Sequence, residues 1–244
     1  MIHNRRFAFA FRLCSLLFVL IGLMKAVGVF EGAVNLGSFM YYTNQSNLLA
    51  AVLFALLIVR MAKSGETAET AAGTGAKFTL GSVGRNTRFG MVCAVDLLVT
   101  MIVFWVMLAP SLGAEYLSTF ENIAVHTVTP LLCLLDFSLF SKPRRLKYRD
   151  VYYCCIFPLA YVVFTIVVSL TGYVYRYEGV LSNPFSSNFD SVPVRYPYFF
   201  LDFDRLGAMA LVYIAGIFVF FLLISHGIYL IDRKIRKQPA ALPR

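Results

Sequence analysis

The chain has 244 residues, 59% hydrophobic and 14% charged, with a formal net charge of +9. A soluble domain typically carries about 25% charged and about 45–50% apolar residues, so this balance argues against a water-soluble globular fold. Membrane topology accounts for the basic residues, and no nucleic-acid partner is expected.

The apolar residues gather into six runs, at 7–30, 38–61, 86–108, 118–140, 151–172 and 206–231. Each is close to the roughly 20 residues that a helix needs to cross a hydrocarbon core. Inside lipid the backbone must satisfy its own hydrogen bonds, which selects helices over open strands. The expected fold is therefore all-α: a single polytopic domain of six transmembrane helices spanning residues 1–244, integral to a membrane and, in a bacterium, to the inner (plasma) membrane. The first run follows Arg5 and Arg6 as a signal peptide would, but it is long and no A-x-A-like site follows it. It is expected to stay as an anchor.

Between the second and third runs, residues 64–85 are rich in Gly, Ala, Thr and Ser and read as a flexible loop. This loop carries Lys77 and Arg85, the next loop on the same side carries Lys142, Arg144, Arg145 and Lys147, and the tail carries Arg233, Lys234, Arg236 and Lys237. The opposite side holds only Arg176, Arg195 and Arg205. Lys and Arg favour the cytoplasmic side, which places both termini in the cytosol. Residues 173–205 then form a long extracytoplasmic loop rich in Tyr and Phe, including Tyr175, Tyr177, Phe185, Tyr198 and Phe200. Such a loop is either an interfacial aromatic belt or a lid over an outward-facing cavity. The five cysteines lie in spans or toward the cytosolic side, so no disulfide framework is indicated.

Ionisable groups inside a span are costly and mark candidate sites. Arg12 is near enough to the cytosolic end to snorkel, and Asp136 and His226 are near enough to be satisfied by basic loops or headgroups. Lys25, Asp96 and His126 remain. In the fourth run Asn122, His126, Thr129, Cys133 and Asp136 follow helical spacing and form one polar stripe. At 1.5 Å per residue His126 lies about 12 Å below the outer end, and Asp96 lies within about a turn of that depth. The second run opens with Tyr41-Tyr42-Thr43-Asn44-Gln45-Ser46-Asn47, which brings Thr43 to a depth where it can meet His126. A hydroxyl beside an imidazole is the minimum apparatus for acyl transfer, and Asn44, Asn47 or Asn122 can supply oxyanion donors. The same groups can equally serve as hydrogen-bonding glue between helices. His126 and His226 lie at different depths and metal-ligand spacings are absent, so neither a haem nor a metal cofactor is expected.

These motifs carry a resemblance. The run Tyr41-Tyr42-Thr43-Asn44-Gln45-Ser46-Asn47-Leu48-Leu49, the run Asn122-Ile123-Ala124-Val125-His126-Thr127-Val128-Thr129-Pro130, and Arg195-Tyr196-Pro197-Tyr198-Phe199-Phe200-Leu201-Asp202 ahead of the last helix resemble the androgen-induced-gene family and its bacterial six-span relatives. Characterised eukaryotic members hydrolyse fatty acid esters of hydroxy fatty acids with an intramembrane threonine and a histidine. The resemblance implies those roles for Thr43 and His126; Lys25, Asp96, Thr129, Tyr198 and Asp202 are the supporting candidates. The Thr-Asn-Gln-Ser-Asn run departs from the eukaryotic pattern, where more apolar residues follow the threonine.

The expectation is thus a hydrolase of lipid esters whose substrate enters laterally from the surrounding membrane lipids. Asp96 would orient His126 or pair with Lys25. A non-catalytic binding protein or transporter of a small or lipidic ligand is the alternative, and it requires a polar route continuing to Asp136.

Overall fold

The computed structural model of the protein describes residues 5–74, 81–141, 146–175 and 194–234, with 64–74 and 81–86 described by their backbone alone. The fold is all-helical and contains six helices long and apolar enough to cross a membrane: Arg5–Ala26, Tyr42–Lys63, Thr87–Ser111, Phe120–Phe140, Asp150–Leu170 and Met209–Lys234. It is an integral multi-pass membrane architecture. The basic residues Lys77, Lys142, Arg144, Arg145, Arg176, Arg236 and Lys237, and the loop aromatics Tyr177, Phe185 and Phe189, lie outside the described residues.

Ring contacts show that the first span runs antiparallel to the fourth and the fifth antiparallel to the sixth, while an ion pair joins the third and fifth at the same end. Phe11 near the start of the first span meets Phe140 at the end of the fourth (centroids 5.5 Å apart), while Phe18 higher up meets Phe120 at the fourth span's start (5.8 Å). Arg88 at the start of the third span reaches Asp150 at the start of the fifth (2.6 Å), and Tyr148 just before the fifth packs on Tyr229 late in the sixth. The third span is 56% buried, the largest share of the six, and so forms the centre of the bundle. Its two faces pack into separate clusters, one with Phe54 and Leu97, the other with Val95, Phe137 and Phe221.

Local chemistry sets the helix ends. The first span stops at Ala26 rather than Phe30 because Gly28 adopts φ +82°, a left-handed conformation that a side chain resists. A Cβ there would also lie 2.5 Å from the Ala33 carbonyl oxygen. The second span starts at Tyr42 because Asn35 caps a 3₁₀ turn, Leu36–Met40, whose Cα trace turns extended at Tyr41. At its other end the helical backbone runs on to Thr74, and helix resumes at Gly81. Where the composition suggested a flexible loop over 64–85, Glu66, Ala68, Glu69, Ala71 and Ala72 are strong helix formers and extend the helix.

Two of the spans contain a π-helical turn, Phe104–Leu108 in the third and Ala124–Val128 in the fourth. Such wide turns rotate the residues beyond them and recur at functional sites. Here the two turns face each other.

Candidate active site

The polar run that opens the second span mostly secures its own bend. Asn44 Nδ2 donates to the Ser38 carbonyl (2.8 Å) and Gln45 Nε2 to the Phe39 carbonyl (2.8 Å). Ser46 Oγ donates back to the Thr43 carbonyl (2.9 Å). The Tyr42 hydroxyl donates to Asp96 on the third span, and its ring packs edge-on against Tyr161, whose hydroxyl donates to the Met40 carbonyl (3.0 Å). The first turn of the second span is thereby clamped from three sides, and Thr43 sits inside the clamp.

The buried Thr43 Oγ1 lies 3.1 Å from His126 Nε2. On the far side of the ring, Nδ1 is 3.2 Å from the Asn122 carbonyl oxygen. A carbonyl only accepts, so Nδ1 carries the hydrogen of the neutral imidazole and Nε2 presents its lone pair to Thr43. The Thr43 hydroxyl then donates to Nε2. The ring plane is fixed by Phe104, which stacks on His126 with centroids 3.6 Å apart and 18° between planes. Both rings come from the facing π turns, so the two wide turns together set the imidazole's position.

The five residues of the fourth-span stripe are all buried, yet they do different things. Asn122 and His126 line a cavity of about 640 Å³ together with Thr43, Asn44, Tyr116 and Tyr198. Thr129 and Cys133 are sealed in the bundle at 1% and 0% exposure and do not line this cavity. Asp136 is held by Arg12 (2.7 Å to Nε, 3.3 Å to Nη2). Arg12 therefore does not snorkel and Asp136 does not look to the headgroups; each neutralises the other inside the bundle.

Asp96 also differs from expectation. It contacts neither His126 nor Lys25 but accepts from Tyr42, leaving its second oxygen without a partner. A backbone carbonyl, not a carboxylate, orients the histidine, and Lys25 pairs with Glu31 at the cavity mouth.

Among the oxyanion candidates, Asn47 has both amide hydrogens engaged, by the carbonyls of Thr43 (2.8 Å) and Val125 (3.0 Å). It has none to offer a substrate and acts as a pin between the second and fourth spans. Asn44 and Asn122 each give one hydrogen to a backbone carbonyl and retain the other at the cavity wall. Asn122 Oδ1 is buried without a partner.

The long aromatic loop enters the site through Tyr198. This residue lines the same cavity as Thr43 and His126, and its phenol feels Thr43 and Tyr42 as neighbours. Burial pushes the Tyr198 phenol up to about 12. It is thus a protonated donor at neutral pH. Around it Tyr175, Tyr196, Phe200 and Leu201 are buried, and Tyr175 bridges Val194 in antiparallel fashion. A headgroup belt would leave such rings at the surface, so the described part of the loop is a cover packed into the bundle. Asp202, at its end, is not part of the site: it caps the short helix Phe203–Leu206 by accepting from the N–H groups of Asp204 and Arg205.

None of the protein-family models, curated proteins or solved structures compared with this chain matches it. Its site therefore has to be interpreted from its own chemistry.

Proposed function

We propose that the protein is an intramembrane hydrolase of long-chain acyl esters, with Thr43 as nucleophile and His126 as general base and then acid. The observation that carries this reading is the contact of 3.1 Å between Thr43 Oγ1 and a histidine nitrogen whose lone pair is freed by the hydrogen bond on the ring's other side. A threonine hydroxyl is a poor nucleophile unless a positioned base takes its proton, and that arrangement opens onto a cavity large enough for a substrate.

In the first half-reaction Thr43 Oγ1 bonds to the ester carbonyl carbon while its proton passes to His126 Nε2. The carbon–alkoxy bond breaks and His126 returns the proton to the leaving alcohol. Water then attacks the acyl-threonine, again deprotonated by His126, releasing the fatty acid and restoring Thr43. Tyr198 O–H and the second amide hydrogens of Asn44 and Asn122 are the donors for the oxyanion. Asn47 holds the nucleophile-bearing helix against the base-bearing one. With both termini in the cytosol, as the basic residues favour, the site faces the outer leaflet. The resemblance to the androgen-induced-gene family agrees with this chemistry and suggests esters of hydroxy fatty acids among the candidate substrates.

The reading of a transporter or binding protein draws less support. Its polar route would continue from His126 to Asp136, and the intervening Thr129 and Cys133 are closed off.

Labelling with a long-chain alkyl fluorophosphonate tests the proposal directly. The expected result is a covalent adduct on Thr43, found by peptide mass spectrometry and lost in His126→Ala. An adduct elsewhere, or one indifferent to His126, would speak against the assigned pair.

A further inference from the structure

Thr43 lies on the wall between two cavities of opposite character. One is the chamber of about 640 Å³, bounded by the first to fourth spans and their loops and lined by Lys25, Glu31, Asn35, Asn44, Tyr116 and Glu121 among others. The second is a narrow slot of about 70 Å³ between the third, fifth and sixth spans, lined by Val103, Val162, Ile214, Ile217, Phe218 and other apolar side chains. Thr43, Phe104, Leu108 and Tyr198 belong to both. Val162, Ile214, Ile217 and Phe218 are only part-buried, so the slot reaches the lipid-facing surface. The chamber instead ends at the loops, where the Lys25 and Glu31 side chains are 35% and 44% exposed.

We infer that the substrate is an ester divided at Thr43: its acyl chain lies in the apolar slot and extends into the bilayer, and its alcohol part is compact, polar and not anionic, seated in the chamber. This rests on the hydrolase reading and deepens it. An acyl chain in the slot replaces lipid contacts by protein contacts without exposing methylenes to water. The chamber places two carboxylates, Glu31 and Glu121, around one ammonium, Lys25, and both act on it electrostatically. Lys25 is already paired with Glu31, so the chamber offers hydroxyl and amide partners and a surplus of negative charge. A second long chain ending in a carboxylate is matched by neither feature. The division also orders the reaction: the carbonyl carbon sits at Thr43 Oγ1, the bond to the alkoxy oxygen breaks on the chamber side, and the protonated alcohol leaves toward water. Hydrolytic water enters by the same route while the acyl chain stays in the slot.

The test compares three esters of one long-chain fatty acid with purified protein in lipid nanodiscs: a glycerol monoester, a choline ester, and an ester of a long-chain hydroxy fatty acid. The glycerol and choline esters are expected to exceed the two-chain anionic ester in kcat/KM by at least about tenfold, the scale of discrimination that pocket fit supplies. Ile217→Trp, which narrows the slot away from the reacting atoms, is expected to shift the preferred acyl length downward for every alcohol. Glu121→Gln is expected to lower kcat/KM for the cationic choline ester more than for the neutral glycerol ester. Equal or faster turnover of the two-chain anionic ester overturns the division of the substrate while leaving the hydrolase intact. Absence of turnover on all three, with the parent protein folded, overturns the hydrolase reading and this inference with it.

Discussion

The ring of Phe104 lies flat against the imidazole of His126, 3.6 Å between centroids, and each ring comes from a π-helical turn of its own span. The contact fixes the plane in which Nε2 faces Thr43, and the same phenyl ring forms part of the wall between chamber and slot. Phe104→Leu keeps apolar bulk and loses the flat face. A small misplacement of a catalytic group costs on the order of 10²-fold in rate, so kcat is expected to fall by up to that factor with KM little changed. Steady-state kinetics on a single ester provides the check.

Tyr198→Phe separates a donor from a mere cover. The phenyl ring can keep its packing against Phe200 and Tyr161, so the loop stays in place while the hydroxyl at Thr43 is lost. If that hydroxyl stabilises the oxyanion, kcat falls by about 10²–10³-fold with the fold intact. A change smaller than about threefold would be inconsistent with the role, given the sensitivity of such donors.

The same residue gives a pH dependence of stability. Burial raises the Tyr198 phenol to about 12, above the value of about 10 for an unfolded tyrosine. The native state thus holds its proton more tightly than the unfolded state does. This stabilisation is fully present below pH about 10 and is lost as pH rises toward about 12. Tyr175, raised to about 12 by burial, adds in the same direction. Melting temperatures in detergent are expected to fall across that window, and less steeply in Tyr198→Phe than in the parent.

Asn47 is expected to behave as a structural pin. Asn47→Ala leaves the carbonyls of Thr43 and Val125 without their side-chain donor, and interhelical hydrogen bonds of this kind contribute about 1–2 kcal/mol at most in membrane bundles. A lowered melting temperature should accompany any loss of rate. Rate loss at unchanged stability would instead return Asn47 to the list of oxyanion donors.

The Arg12–Asp136 pair, with side chains only 11% and 5% exposed, is isolated from the reacting atoms. Removing one partner leaves a buried charge, at a cost of about 3–5 kcal/mol in soluble proteins, whereas replacing both by apolar residues is often neutral. Asp136→Leu alone should destabilise strongly, and Arg12→Met with Asp136→Leu should recover most of the loss in thermal melts. A double variant as unstable as the single one would mean that the pair does more than neutralise itself.

The architecture was legible in the sequence because hydropathy and the 20-residue span are local properties. The burial of Asn122, His126, Thr129, Cys133 and Asp136 was legible too, since helical spacing alone puts them on one face. Depth counting brought Thr43 and His126 to the same level, where they meet. Partner choice was not local. Arg12 and Asp136 are 124 positions apart and each has its own apparent explanation near a membrane surface, so nothing in either run names the other. Asp96 was assigned to a histidine or a lysine because charges suggest charges, yet its partner is the Tyr42 hydroxyl in the adjacent helix's first turn. Phe104 is one of 23 phenylalanines and carries no signal of its own. Each π turn ends two residues before a proline, Pro110 or Pro130, whose missing N–H disturbs the helical ladder, but that pattern does not name Phe104 as the ring that meets His126. Tyr198 was singled out by its motif, but its reach to Thr43 depends on how the loop folds back over the bundle.

The central claim is that Thr43 and His126 form one catalytic unit, and turnover of long-chain acyl esters by purified protein beside Thr43→Ala and His126→Ala tests it most directly. The account predicts measurable hydrolysis by the parent and its loss in both variants, each retaining the parent's melting transition. Hydrolysis unaffected by either substitution, or none in a correctly folded parent, would contradict it.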